Sequence, residues 1–225
     1  MKLKKICNYP IEENTYIVYD DKQRHCVIID PFDASAVDEF LDSEKLTPDY
    51  VFLTHEHIDH INGLNGLKMR YDIKVICSEE CSRRICDPRE NLSMYFQILL
   101  TVNSRIKIPE EYISSQKIYS ADAPADIVFT KDVEMDWNGS AIRCISTPGH
   151  TSASICIVFE TEMIFTGDSL LRDEETVTRL PSGSKKDYME KTIPFLRTLD
   201  NNILVLPGHG EEFILKEKCD FLTGE

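Results

Sequence analysis

The residues most able to do chemistry lie in one short stretch, residues 55–60, with the sequence HEHIDH. Imidazole nitrogens bind zinc, iron and related divalent ions, and a carboxylate adds a hard oxygen ligand. His55 and His57 lie two positions apart, so an extended turn can point both side chains the same way. Asp59 and His60 are adjacent and can face a second ion. The stretch therefore predicts a metal-binding site.

Further candidate ligands stand at the ends of apolar segments in the rest of the chain. They are Asp30 in VIIDP, His150 in TPGHT, Asp168 in FTGD and His209 in LPGHG. Of the 6 histidines in the chain, only His25 lies outside these motifs. This concentration of histidine at the ends of apolar segments argues against chance spacing and favours a metal site.

The segments that must position these residues read as alternating strands and helices. Strands are predicted at residues 2–9, 14–20, 25–30, 50–53, 74–78 and 126–130, and then in VEMDW, SAIRCIS, SICIVFE, EMIFTG and NILVLPG. Helices are predicted at residues 35–45 with Ser35 as N-cap, at 62–70, at 79–86, and at 185–199 with an interruption at Pro194. Residues 211–225 read as a tail.

Residues 87–125 break this rhythm, because they contain three prolines and show no clean hydrophobic period. They read as an insertion between the two halves of the fold. An apolar patch within them lines an entrance to the site or packs the insertion onto the core: Met94, Tyr95, Phe96 and Leu99. Residues 87–125 and the loop 169–184 are expected to form the walls of the pocket.

Taken together, these motifs resemble the H-x-H-x-D-H signature and its companion residues in the metallo-β-lactamase-fold superfamily. The match begins at Asp30, ends at His209, and keeps the order of all five elements. The resemblance implies an α/β (α+β) fold, a four-layer αββα sandwich with metals at one edge of its two sheets. It also implies a single domain over residues 1–225.

The resemblance assigns the ligands to two metal ions: His55, His57 and His150 to the first, Asp59, His60 and His209 to the second, and Asp168 to both. Two divalent ions are expected, most simply zinc, with iron or manganese as alternatives. Asp59 and Asp168 are the residues expected to take part in catalysis. Because zinc lowers the pKa of bound water to about 7, a bridging hydroxide is expected to attack a polarised carbonyl or phosphoryl centre.

Two neighbouring positions have expected roles of their own. By the resemblance, Asp30 supports the metal-binding loop through hydrogen bonds; the bare alternative is a carboxylate that closes a turn. Glu56 lies at a position that the H-x-H-x-D-H motif leaves free, and we do not expect it to be a ligand.

Asp168 narrows the resemblance to the glyoxalase II-like group of ester and thioester hydrolases, which carry a bridging Asp in a similar Gly-Asp motif. The true β-lactamases of the superfamily lack an Asp at this place. Two departures argue against a glutathione thioester as the substrate. The chain lacks the long C-terminal helical region of glyoxalase II, and residues 170–183 differ from the arginine- and glycine-rich stretch usual after the bridging Asp.

Two other functions remain open from the sequence. One is an iron-dependent persulfide dioxygenase, in which two histidines and the aspartate would hold a single iron as a facial triad. The other is a metal-binding scaffold without catalytic activity, against which the complete ligand set argues. Metal choice depends on the surroundings of the ligands, so residue types alone do not separate a hydrolase from a dioxygenase.

Composition and charge limit the partners and the location of the protein. The net charge of −14 repels nucleic-acid phosphates, so a small-molecule substrate is expected and a nucleic acid is not. No apolar run reaches the roughly 18 residues of a membrane-spanning helix, and residues 1–16 lack the apolar core of a secretory signal. A cytoplasmic protein without a membrane partner is therefore expected.

Cysteines and basic residues provide secondary candidates. Cys7, Cys26, Cys144 and Cys156 lie in apolar segments and are expected to be buried hydrophobes, while Cys77, Cys81 and Cys86 lack the paired spacing of a zinc site. Two basic groups are either anion-binding or solvated surface charge: Arg83, Arg84 and Arg89, and Arg179, Lys185 and Lys186.

Overall fold

Two β-sheets form the centre of the protein in a computed structural model that describes residues 1–9, 11–102, 108–115 and 118–218. The first sheet has six strands in sequence order: β1 (Lys2–Asn8), β2 (Glu13–Tyr19), β3 (His25–Ile29), β4 (Thr47–Phe52), β5 (Lys74–Ser78) and β6 (Ile127–Phe129). β1, β2 and β3 pair in antiparallel fashion, whereas β3 to β6 run parallel.

The second sheet contains the remaining six strands, again as neighbours in sequence order. They are β7 (Val133–Trp137), β8 (Ser140–Ser146), β9 (Ile155–Phe159), β10 (Met163–Gly167), β11 (Leu204–Pro207) and β12 (Phe213–Ile214). All neighbouring pairs are antiparallel except β10 and β11, which are parallel. Both sheets are therefore mixed.

Helices connect the strands and cover the sheets. They are α1 (Ala34–Glu44), α2 (Ile58–Ile61), α3 (Leu64–Arg70), α4 (Glu79–Arg84), α5 (Phe96–Val102), α6 (Glu110–Ser115), α7 (Lys185–Asp187) and α8 (Ile193–Leu196). A π-helical turn, Tyr188–Thr192, joins α7 to α8 immediately before Pro194, where the sequence predicts an interruption. The side chain of Asp33, rather than Ser35, caps α1, because it accepts a hydrogen bond from the backbone of Ser35 at 2.8 Å.

Three apolar layers hold this arrangement together, and successive residues of one strand belong to different layers. Val27 of β3 lies in the layer between the two sheets, whereas Ile28 lies in the layer between the first sheet and its helices. On the second sheet, Val158 faces a third layer that includes Ile193 and Leu196 of α8. Because side chains alternate across a strand, each buried sheet presents one apolar face to each neighbour. The predicted αββα sandwich is confirmed.

The structure corrects two predictions about the order of the elements. Ile76 of β5 pairs with Ile127 of β6, so residues 87–125 are inserted within the first half of the fold and not between the halves. Within the predicted tail, Phe213 of β12 pairs with Val205 at the edge of the second sheet, while residues 219–225 lie outside the described part. In each case a short strand pairs with another strand of the sheet, and the local sequence pattern does not identify that partner. No helix in the described part of the chain is long and apolar enough to cross a membrane.

Candidate metal centre

All seven predicted ligands lie together where strands of both sheets end. His55 and His57 follow β4, Asp59 and His60 belong to α2, His150 follows β8, Asp168 follows β10 and His209 follows β11. β10 and β11 are parallel neighbours, so their carboxyl ends, and the ligands beyond them, meet at the same edge. The strand order therefore brings together residues that are far apart in the sequence.

The first group of candidate ligands consists of three buried histidines. Nδ1 of His57 lies 3.1 Å from Nε2 of His55 and 3.0 Å from Nε2 of His150. Four zinc ligands in a tetrahedron, with bonds of about 2.0–2.1 Å, would be separated by roughly 3.3 Å. The spacing of these three nitrogens therefore suits one metal ion.

The second group contains Asp59, His60 and His209. Oδ2 of Asp59 lies 3.3 Å from Nε2 of His209 and 3.8 Å from Nε2 of His60. This set adds a carboxylate to two imidazoles, as sites for zinc and iron commonly do. It can hold a second ion beside the first.

Asp168 lies between the two groups and faces both. Its Oδ2 is 3.5 Å from Nε2 of His150, in the first group. Its Oδ1 is 3.6 Å from Nε2 of His60 and 3.7 Å from Nε2 of His209, in the second group. One carboxylate can therefore offer an oxygen to each of two ions.

The far nitrogens of three histidines are fixed by hydrogen bonds, and this determines which nitrogen faces the centre. Nδ1 of His150 donates to the carbonyl of Val177 at 2.8 Å, and Nδ1 of His209 donates to the carbonyl of Ile11 at 2.9 Å. Nδ1 of His60 donates to Asp30 at 3.0 Å. In each case Nε2 is the nitrogen that faces the centre, where it can bind a metal ion once it is unprotonated.

Thr54 orients the ring of His55, and Asp30 orients the ring of His60, each through a hydrogen bond to Nδ1. Asp30 accepts hydrogen bonds from the backbone and the hydroxyl of Thr54, at 2.7 and 2.6 Å, as well as from His60. The Thr54 hydroxyl donates its hydrogen bond to Asp30. Its oxygen therefore accepts a hydrogen bond from Nδ1 of His55, at 3.0 Å. These contacts are those expected of Asp30 from the sequence, whereas Thr54 was not anticipated.

Two glycines give the backbone room at this edge. A Cβ at Gly208 would lie 2.5 Å from Oδ1 of Asp168 and 2.8 Å from the His60 ring. Gly167 has φ +48° and would place a Cβ against the Thr54 side chain. A larger residue at Gly208 would therefore displace two candidate ligands, and one at Gly167 would displace Thr54, which contacts His55.

Burial keeps His55 and His57 of the first group neutral. It lowers the pKa of His55 well below its ordinary value, and the neighbouring imidazoles add to this effect. Burial also lowers the pKa of His57 to about 3, with a further contribution from His150. Unprotonated imidazoles are the form that binds a metal ion.

Charge interactions dominate the second group. Burial acts to lower the pKa of His60, but the carboxylates of Asp59 and Asp30 outweigh it and raise that pKa. Burial is likewise outweighed at His209, where Asp168 and Asp59 raise the pKa to about 10. Burial acts to raise the pKa values of Asp59 and Asp168, but the facing histidines lower both.

Several buried polar atoms of the centre make no hydrogen bond to any residue that the structure describes. They include Nε2 of His60 and Oδ1 of Asp168. A buried acceptor without a partner is costly, and a bound cation removes that cost. The orphaned atoms, the separations and the donor types all fit two divalent ions.

The candidate metal centre opens into a cavity of about 460 Å³, and both predicted segments contribute to its walls, together with residues 11–12 and 210–211. Leu92, Phe96, Leu99 and Leu100 line one side, and Leu171, Val177 and Leu180 line another. Of the four residues expected at an entrance, Phe96 and Leu99 line the cavity, whereas Met94 and Tyr95 do not. A separate groove of about 670 Å³ contains none of the candidate ligands.

Acidic side chains also line the cavity: Glu12, Asp173, Glu174 and Glu211. Among the described residues that line the cavity, Arg172 is the one arginine or lysine. Its Nη2 lies 3.6 Å from Oε2 of Glu217. None of the six basic residues singled out in the sequence lines this cavity. Arg84 is buried in ion pairs with Glu56 and Glu80, so neither of the two alternatives, anion binding or solvated surface charge, holds for this residue.

None of the described cysteines belongs to a group of candidate metal ligands. Cys26, Cys77, Cys81, Cys144 and Cys156 are buried with free thiols, and Cys7 is exposed. Burial raises the pKa of Cys26, Cys144 and Cys156 to about 12, which keeps these thiols protonated and inert. Cys7 is therefore the exception to the predicted burial.

Comparisons with known proteins agree with this arrangement. The sequence profile of the Metallo-beta-lactamase superfamily matches residues 9–209. "Probable metallo-hydrolase YqgX" of Bacillus subtilis (strain 168) is 27% identical over 230 residues, covering 100% of this chain and 99% of the relative. "Hydroxyacylglutathione hydrolase" of Serratia proteamaculans (strain 568) is 25% identical, covering 91% of this chain but 65% of the relative.

Solved structures share the fold over nearly the whole chain. The BLEG-1 B3 metallo-beta-lactamase has a TM-score of 0.78 and 28% identity, and the match covers 99% of this chain and 100% of that one. ETHE1 from Myxococcus xanthus has a TM-score of 0.69 and 24% identity, with 97% of this chain and 81% of that one covered. The profile match spans most of the sequence and all the candidate ligands, so the chain belongs to the metallo-beta-lactamase superfamily.

Proposed function

We propose that this protein is a binuclear metal hydrolase that cleaves a small ester or thioester, in the manner of the glyoxalase II-like group. The position of Asp168 carries the proposal. Its two carboxylate oxygens face different candidate metal groups, at 3.5 Å from His150 and 3.6 Å from His60. A carboxylate in that position is suited to hold two ions at a fixed separation.

The protein residues have distinct roles in this proposal. Two bound dications would lower the pKa of water and stabilise the charge that develops on the attacking and leaving oxygens. His55, His57 and His150 would hold one ion with neutral nitrogens, and Asp59, His60 and His209 would hold the other. Asp59 lines the cavity, and its lowered pKa makes it a carboxylate at neutral pH. As a carboxylate it would orient the attacking water by accepting a hydrogen bond from it.

The cavity supports a small substrate with an apolar part. Leu92, Phe96 and Leu99 offer an apolar surface next to His57 and Asp59. Burial of an acyl chain there would contribute about 0.8 kcal/mol for each methylene group. An acyl thioester or ester would seat its apolar chain on this wall and its carbonyl at the metal centre.

Acidic residues in the cavity argue against glutathione, which carries carboxylates. Asp173 and Glu211 line the cavity, and their side chains are 80% and 71% exposed. They would repel an anionic leaving group, although solvent and salt weaken the effect. The relative named hydroxyacylglutathione hydrolase therefore supports the type of bond cleaved and not the glutathione part.

Purified protein tests the proposal. The metal content of protein prepared without added metal would be measured beside its activity on an acyl thioester, an ester and a β-lactam of similar size. Two zinc ions per chain with thioester or ester cleavage would support the hydrolase. One iron per chain with thiol-dependent oxygen uptake would instead support the persulfide dioxygenase, and β-lactam cleavage alone would require a different substrate assignment.

A further inference from the structure

Glu56 is a fully buried carboxylate between two candidate ligands, His55 and His57. Its Oε1 accepts a hydrogen bond from Nη1 of Arg84 at 2.9 Å, and its Oε2 accepts one from the hydroxyl of Thr151 at 2.8 Å. The family signature does not specify this residue. The contacts nevertheless join it to two other segments of the chain, α4 and the turn that follows His150.

Two contacts of Glu56, with Thr151 and with Ser182, lead to parts of the candidate site. Thr151 is adjacent to His150, the third ligand of the first group. The hydroxyl of Ser182, within the wall segment 169–184, also donates to Oε1 of Glu56 at 3.3 Å. One carboxylate thus contacts both the turn that carries His150 and the segment that lines the cavity.

The wall segment makes further contacts with the same turn. The carbonyl of Val177 accepts the hydrogen bond from Nδ1 of His150 at 2.8 Å. The backbone of Ser184 donates to the carbonyl of Gly149 at 2.9 Å. The orientation of His150 and the position of the wall are therefore linked, and Glu56 contacts both parts through Thr151 and Ser182.

Stability alone does not account for the Glu56–Arg84 pair. Removing two charges from water is costly, and apolar replacements of a buried ion pair are often neutral or stabilising. Nε of Arg84 is buried without a hydrogen-bond partner, so the pair is not fully compensated. A role beyond stability would explain a charged pair at this place.

We propose that Glu56 is a positioning residue that fixes His150 against His55 and His57 and holds the wall segment 169–184 to the same turn. It acts through Thr151 and Ser182 and does not itself bind metal. The inference rests on the metal site of the proposed function. It predicts that loss of the acceptor oxygens weakens the first metal group even when the fold is intact.

The test separates positioning from simple charge compensation. In the double variant Glu56→Met/Arg84→Met, both charges and the acceptor oxygens are removed at similar volume. In Glu56→Gln/Arg84→Met, both charges are removed, but an oxygen that Thr151 can reach is kept. Glu80→Gln is the matched control, because Glu80 also pairs with Arg84, at 2.6 Å, and is not among the residues that contact Thr151 or Ser182. Zinc affinity is measured by competition with a chelator, and Tm by thermal unfolding.

We expect Glu56→Met/Arg84→Met to fold and to bind its first zinc 10–100-fold more weakly, the usual loss when a residue that orients a ligand is removed. Glu56→Gln/Arg84→Met should recover most of that affinity, and Glu80→Gln should bind zinc as the wild type does. Wild-type affinity in the Met/Met variant would overturn the inference, because Glu56 would then only compensate Arg84.

A second variant keeps the proposal testable if the double variant does not fold. Thr151→Val removes the hydroxyl that reaches Glu56 and leaves the Glu56–Arg84 pair in place. Weaker zinc binding is expected with the fold retained, although Tm should fall because the same hydroxyl also contacts Ala153 and Ser154. Unchanged zinc binding would overturn the inference. Failure of the wild type itself to bind zinc would instead overturn the proposed function.

Discussion

Asp30 fixes the ring of His60 through a hydrogen bond: its Oδ2 lies 3.0 Å from Nδ1 of His60, and both side chains are buried. The same carboxylate binds the backbone and the hydroxyl of Thr54. It stands at φ +50°, a backbone conformation that few residues other than glycine adopt. One residue outside the ligand set therefore connects the end of β3 to the metal-binding loop.

Removal of Asp30 should weaken metal binding. In Asp30→Ala, His60 loses the acceptor that fixes its ring, so we expect the second metal to bind 10–100-fold more weakly. Asp49→Ala is the control, since Asp49 also accepts from a histidine, His25, at 2.7 Å but lies outside the candidate metal centre. Competition with a chelator would measure the zinc affinity of both variants. Equal losses of affinity in the two variants would contradict the role of Asp30.

Zinc binding should release protons from the second group. In the metal-free protein, Asp168 and Asp59 raise the pKa of His209 to about 10, so His209 carries a proton at pH 8. Zinc displaces that proton, and apparent affinity at this group should rise with pH until His209 is neutral.

Calorimetry in buffers of different ionisation enthalpy counts the protons released. His209→Gln should release roughly one proton fewer than the wild type at pH 8. His57→Gln is the matched comparison, because the pKa of His57 is lowered to about 3 and this ring is already neutral. Identical proton counts for wild type and His209→Gln would contradict the account.

The apolar wall should affect substrate binding. Leu99 lines the cavity, whereas its neighbour Ile98 does not and is 61% exposed. Leu99→Ser should raise KM for a medium-chain acyl thioester about fivefold, since each buried methylene contributes about 0.8 kcal/mol, and leave metal content unchanged. Ile98→Ser should leave KM unchanged. A KM for Leu99→Ser equal to that of the wild type would place the acyl chain elsewhere.

Much of the fold and of the candidate centre could be predicted, because apolar runs and the polar residues that follow them indicate the strands and the ligands. The apolar run before His55 predicts a buried strand, and the ligands beyond strand ends then fall at one edge. The partner of β6 could not be predicted, because β6 has only 3 residues and largely exposed side chains. Glu56 and Arg84 are separated by 28 positions, and no local signal links the two residues.

The central claim is that Asp168 joins two metal ions in a hydrolytic centre. Asn at this position keeps the shape but loses the negative charge and one good oxygen donor. The two ions would then repel each other more strongly. We expect Asp168→Asn to lower kcat for thioester hydrolysis on the order of 100-fold or more. The fold should persist, because the apolar layers do not depend on this carboxylate.

The most direct test is to measure zinc per chain and thioester hydrolysis side by side for wild type and Asp168→Asn after loading with ample zinc. The account predicts two zinc ions and hydrolysis in the wild type, with loss of activity and of metal chiefly at one site in the variant. Near-normal activity with two zinc ions retained in Asp168→Asn, or an empty second site in the zinc-loaded wild type, would contradict it.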